Sequence, residues 1–229
     1  SSACGLIARK AVADTPAGVF WMSSAGFFTY DGSSVREIQC DVHDKVFGDL
    51  NPAQISKCWA VANGPNGEVW FYYPSANSLE IDRYVVFDYK EGHWSMGALA
   101  RTAGFDRGVF KTPVWGDPDG SIYNHETGFN YDGGEVYAES GPFKIGAGEN
   151  LAVVTSLIPD ELNLGDVTTT FKTRLYPTST ETSHGPFTMT QPTSVRLQGR
   201  QVRMKVTGNT PSAWRVGRFR FEAKPGGKR

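Results

Sequence analysis

Histidines, carboxylates and cysteines give this chain its chemical options. The histidines His43, His93, His125 and His184 stand far apart, and none falls in the His-Glu-x-x-His spacing that sets two imidazoles on one helix face around zinc. His125 and Glu126 are adjacent, but strand neighbours point to opposite faces, so they do not make an acid–base pair on one substrate. Asp117, Asp119 and Glu126 outline part of a calcium loop. Ser121 stands at its fifth position, however, and the glutamate misses its place, so Asp117-Pro118-Asp119-Gly120 reads as a turn. Cys4, Cys40 and Cys58 are odd in number and lack a Cys-x-x-Cys spacing, which makes them buried or free thiols rather than a disulfide framework or zinc site. No phosphate-binding loop, dinucleotide fingerprint or nucleophile elbow occurs, and Gly146-Ala147-Gly148 reads as a bend between strands. Carboxylate pairs for glycoside hydrolysis are a matter of spatial separation, and 24 acids always leave some pair close. The reading is therefore a non-enzyme with no catalytic residue, no metal ligand and no cofactor.

Binding chemistry is better represented. Tyr72, Tyr73, Tyr84, Trp94 and Tyr123 are rings able to stack on sugars or bases, and Tyr72, Tyr73 and Trp94 form the candidate contact surface. Their competing role is packing between sheets, where aromatic residues suit half-buried strands. Charge is distributed unevenly. Between Arg196 and Arg229 ten Lys and Arg face one acid, Glu222, a net +9; the whole chain at −1 leaves −10 for residues 1–195. Arg196, Arg200, Arg203, Lys205, Arg215, Arg218 and Arg220 are the candidate contacts to a neighbouring subunit or to a DNA backbone. The partner is a phosphate chain met without base readout, or an acidic neighbour; a solvated sheet face is the alternative to both. No run of about 18 apolar residues is present, so no membrane span is expected.

The elements that carry these residues read as β-structure throughout. Gly18 to Gly32 is an aromatic hairpin, Gly-Val-Phe-Trp-Met and Phe-Phe-Thr-Tyr-Asp-Gly around Ser-Ser-Ala-Gly. It has echoes: Val69–Tyr73 after the turn Gly64-Pro65-Asn66-Gly67, Asp82–Tyr89, a strand around His93–Met96, and Val114-Trp115-Gly116 before Ser121-Ile122-Tyr123. Trp21, Trp70 and Trp115 recur 49 and 45 residues apart, within the range of propeller blades. Tyr30-Asp31-Gly32 and Tyr131-Asp132-Gly133 are further echoes. A helical excursion interrupts at 41–57: Val42, Val46, Phe47 and Leu50 have helical spacing, and Asn51 caps a second turn that begins at Pro52.

Residues 1–146 are thus expected to form propeller-like hairpin repeats, and 147–229 an antiparallel β-sandwich with basic strands at its end. Val202, Met204 and Val206 share one strand face and Arg203 and Lys205 the other; Arg218 and Arg220 alternate with Phe219 and Phe221. One sheet with a single cationic face follows. A propeller has about four to eight blades, and only about three are visible here. The missing blades are expected either before Ser1, where the chain begins without Met or a signal peptide, or on whatever closes the wheel.

Several runs together resemble the virion structural proteins of tailed bacteriophages, in particular the tail nozzle or packaged-DNA stabilisation proteins of short-tailed phages. They are Cys4–Ala8, Gly18–Met22, Gly26–Gly32, Asp82–Phe87, Trp94, Gly97 and Leu99–Ala103, with the ending Gly199–Val202, Trp214–Gly217 and Pro225–Gly227. The resemblance spans most of the chain and carries no site motif. It implies a structural β-propeller protein of the virion tail. That protein forms a homo-oligomeric ring, expected as a hexamer, against an adaptor or portal, and retains and conducts viral DNA until ejection. It also implies a longer protein with more sheet upstream. In such a ring the acidic body faces channel or solvent, and the basic strands sit at a subunit junction. The competing expectation is a peripheral tail protein holding a host-surface glycan through its aromatic loops.

Overall fold

The computed structural model describes residues 4–129, 135–146, 150–159, 167–190, 192–208 and 216–227. It is mostly β, in several antiparallel sheets, none of them closed. The chain divides into two units, Ser1–Thr127 and Gly128–Arg229.

The first unit is built of meanders. The first sheet runs β1 (Val12–Thr15), β2 (Gly18–Met22), β3 (Phe27–Tyr30) and β4 (Val35–Ile38), each strand paired with the next. Gly18 sits at φ +128°, where a Cβ would collide with the Tyr30 carbonyl, a position with no room for a side chain. The helical excursion follows. α1 (His43–Asp49) buries Val46, while Val42, Phe47 and Leu50 pack on the core at its margin. Asn51 then accepts from the Ala53 amide at 3.0 Å and opens a 3₁₀ segment, Pro52–Lys57. The second sheet is β5 (Trp59–Asn63), β6 (Glu68–Tyr73), β7 (Arg83–Asp88) and β8 (His93–Ala98), its first turn closed by Gly67 at φ +80°. The third is shorter: β9 (Ala103–Phe105), β10 (Val114–Gly116) and β11 (Ile122–Asn124).

First strands lie side by side. The Ala60 amide donates to the Lys10 carbonyl at 2.8 Å beside β1, and β9 lies against β5. The second sheet is consequently packed on both faces, most completely at β5, where all five residues are inside; at β8 several residues are exposed. One face packs Ala60, Ala62, Val69, Phe71, Tyr73 and Val85 against Ala13, Phe20, Met22 and Phe27 of the first sheet and against Ala11 just before it. The other packs Trp59, Val61 and Tyr72 against Trp115 of the third. Gly104, paired with Trp115, has no room for a Cβ beneath the indole.

The second unit has two sheets around one core. The strands are β12 (Val136–Glu139), β13 (Phe143–Lys144), β14 (Ala152–Ile158), β15 (Val167–Arg174), β16 (Thr182–Thr188), β17 (Thr193–Gly199), β18 (Gln201–Gly208) and β19 (Arg220–Pro225). One sheet has the order β12-β18-β15-β16, with β13 also on β18; the other is β17-β14-β19. Strict alternation along β15 and β17 turns Val167, Thr169, Phe171 and Thr173 inward, and Val195 and Leu197 towards them. Val154, Leu157, Val202 and Val206 complete that core.

Candidate interaction surfaces

The cationic residues come to three different ends. Strand pairing places Lys172 directly opposite Arg203, and Thr170 opposite Lys205, so two cations meet across β15 and β18. Like charges in that register repel. The acids that relieve them come from elsewhere in the unit. Glu139 lies 3.1 Å from Lys172 Nζ and 3.5 Å from Arg203 Nη1. Glu181 lies 3.4 Å from Arg203 Nη2 and 3.9 Å from Arg174 Nη1. Glu135 takes Lys205 at 2.6 Å, and the same ammonium stands 4.2 Å over the Tyr137 ring. Burial alone pushes the Glu139 carboxyl up, but the Lys172 hydrogen bond and the charges of Lys172 and Arg203 outweigh it and hold the group below its ordinary value.

The expected single cationic face is therefore corrected in two ways. β18 and β19 belong to different sheets, so Arg203 and Lys205 do not share a surface with Arg220. Arg203 and Lys205 are also matched by acids of their own unit. Arg200 lies at the turn into β18, with its guanidinium 4.8 Å from the Tyr176 ring centre. Arg196, Arg218 and Arg220 are exposed, while Phe219 and Phe221 turn to the core as the alternation predicts. Arg215 lies outside the described residues, as do Tyr131–Gly133. Arg196 borders an open groove of about 620 Å³ with Thr155, Gln198, Thr182 and His184. In that groove the His184 Nε2 and Thr173 Oγ1 are 2.9 Å apart.

The aromatic surface is also corrected. Tyr72 and Tyr73 are 0% exposed and belong to the two faces of the second sheet. Burial pushes the Tyr72 phenol well above its usual range and the Tyr73 phenol up to about 12. Trp94 is half-buried. It donates to the Gln39 carbonyl at 2.8 Å and packs its ring on Phe27 and Phe87, with centres 4.6 and 4.7 Å away. The reason is common to all three: the sheet carrying them is the middle layer.

The acid–base candidates have structural duties. His125 stacks on Trp115, ring centres 4.0 Å apart, and faces Arg101 Nε at 3.0 Å. Glu126, at φ +59°, instead turns its carboxylate to Asn66 Nδ2 at 3.1 Å. Asp117 accepts from the Asp119 amide at 3.2 Å, Asp119 from the Ser121 amide at 2.7 Å, which is a turn. Among the described residues no group of three or more His, Cys, Asp or Glu is placed to hold a metal ion. Burial raises the Cys58 thiol to about 12 and the Cys40 thiol to about 11.

Sequence reasoning missed Arg101. It is only 4% exposed, and its guanidinium reaches the Ala100 carbonyl at 2.7 Å, Asp117 at 3.2 Å and the Tyr123 ring at 4.3 Å. Its own carbonyl accepts from Trp59 Nε1 at 2.7 Å, which ties the third sheet to β5. Nothing in the run Leu-Ala-Arg-Thr-Ala marks that position as interior.

No helix among the described residues is long and apolar enough to cross a membrane. No protein-family model matches this chain, and no curated protein shows significant similarity to it.

Proposed function

We propose that this chain is a structural component of a bacteriophage tail. In this reading the sheets of the first unit are propeller blades, and six copies form a nozzle or hub ring that adjoins an adaptor or portal and retains and conducts viral DNA. The observation that carries it is the stack of the first unit. Its central sheet is packed on both faces, while the outer face of the third sheet ends in large exposed apolar residues, Phe105 and Ile122 among them. A stack with an apolar end face suits continuation by further sheets, and a chain that completes itself through neighbours is an assembly part.

The charge arrangement adds a second support. Ion pairs within the second unit hold Arg203 and Lys205, leaving Arg196, Arg218 and Arg220 for a subunit junction or for phosphates met without sequence readout. The glycan reading loses two of its three named rings, because Tyr72 and Tyr73 lie inside the second sheet's packing.

Antibodies raised to this chain, applied with gold label to intact tailed particles, test the reading. Label confined to the tail vertex is the expected result. Particles that carry the label nowhere, or over the capsid surface, contradict it.

A further inference from the structure

We propose that the outer face of the third sheet docks on the outer face of the first sheet of a second copy, and that two such contacts close two three-sheet arcs into one six-sheet wheel. The inference rests on reading the sheets as blades, and not on the phage assignment.

Strand register defines the two faces. In the third sheet Gly104, Trp115 and Tyr123 pair across and look to the second sheet. Ala103, Phe105, Val114, Gly116, Ile122 and Asn124 therefore share the opposite face. Phe105 is 49% and Ile122 76% exposed, and the Phe105 ring meets Phe110, itself 57% exposed, at 5.7 Å. Among the described residues this surface is exposed and mostly apolar.

The first sheet has a partly open outer face. Ala13, Phe20, Met22 and Phe27 are spent on the second sheet. The rows Val12–Trp21–Phe28–Glu37 and Asp14–Val19–Tyr30–Val35 look the other way; Phe28 is buried and the Trp21 indole donates to the Cys4 carbonyl at 2.7 Å, so the open part of this face is the second row, with Tyr30 and Val35 exposed. Sheet-on-sheet docking of this kind already occurs at both faces of the second sheet, so the same layer spacing serves a third junction. Charge selects the pairing. Exposed Asp14 and Glu37 lie on the first-sheet face, and exposed Arg107 and Lys111 flank Phe110 beside the third. Two like faces would set acid against acid or base against base; the unlike pair sets acid against base.

Closure follows from number. Three sheets from each copy give six, inside the range of about four to eight for closed wheels. A two-fold axis makes the two junctions identical and leaves no face over. Three such pairs supply six copies.

The test is the mass of the full chain by sedimentation and light scattering, with far-ultraviolet circular dichroism to follow folding. A closed pair of twice 25.1 kDa is expected. Ile122→Asp should weaken the pair about tenfold or more, with the spectrum unchanged. Arg107→Glu with Lys111→Glu should dissociate it, and adding Asp14→Lys and Glu37→Lys should restore it. A monomer at all concentrations, an assembly whose copy number is not a multiple of two, or a pair indifferent to these folded variants overturns the proposal. A closed pair from a protein that gold labelling places away from phage tails would leave this contact standing and remove the function proposed above.

Discussion

Arg101 is a buried cation that ties several residues of the first unit together. Its guanidinium joins Asp117, His125 and Tyr123, and its carbonyl holds Trp59. Arg101→Met keeps the length of the side chain and removes the charge. The Asp117 carboxylate then stands without its cation, partly open to water. The expected loss is about 2–4 kcal/mol, short of the full cost of stranding a buried ion, read as a lower urea midpoint with an unchanged slope. A residue like this is illegible in sequence, because arginine is normally a surface residue and only the fold supplies its partners. The opposite error affected Tyr72 and Tyr73. Their ring chemistry was visible, but exposure is decided by which sheet lies in the middle, and composition carries no such information.

Strands with a clear pattern were legible as elements. Val69–Tyr73 and the aromatic hairpin at Gly18–Gly32 announce themselves by apolar runs bounded by glycine turns, and the helical excursion by Val46 and the Asn51-Pro52 cap. β16 did not, since Thr-Ser-His-Gly-Pro-Phe-Thr has no period of two and contains proline; an edge strand bonded only to β15 tolerates that. The pairing of β18 with β15 rather than β19 was equally hidden, and with it the acids that meet Arg203 and Lys205. Glu139 makes this pairing measurable. Its folded carboxyl titrates below the ordinary value near 4.3. Its contribution is therefore complete above that ordinary value and is lost as pH falls through the lower, folded one. Glu139→Gln should be less stable than the parent at pH 7, and the gap should narrow as pH drops below about 4. Parallel urea melts from pH 7 to pH 3 read both effects; a gap constant across that range would rule out the ladder as their source.

On the scale of the whole molecule, charge and layering say different things about partners. The split of +9 and −10 is a property of the sequence, but the fold spends part of the positive end internally. If DNA is met through phosphates, each exposed arginine in contact contributes about 0.9 to the slope of log affinity against log salt. Arg196→Ala with Arg220→Ala should flatten that slope by up to about 2. Arg203→Ala should leave it unchanged and lower stability by about 1 kcal/mol or less, as an open ion pair does. The measurement is anisotropy of a labelled duplex across salt concentrations, with two unrelated sequences giving the same curves.

The reading as a whole is that this chain completes its stack of sheets with a second copy, and that three such pairs form a ring around DNA. Electron cryo-microscopy of the native assembly tests it most directly. The expected result is a ring with a channel coaxial with the DNA, in which the Phe105 and Ile122 face of each first unit is covered by another sheet. A particle in which this chain is a lone subunit at the tail periphery, with that face open to solvent, contradicts it.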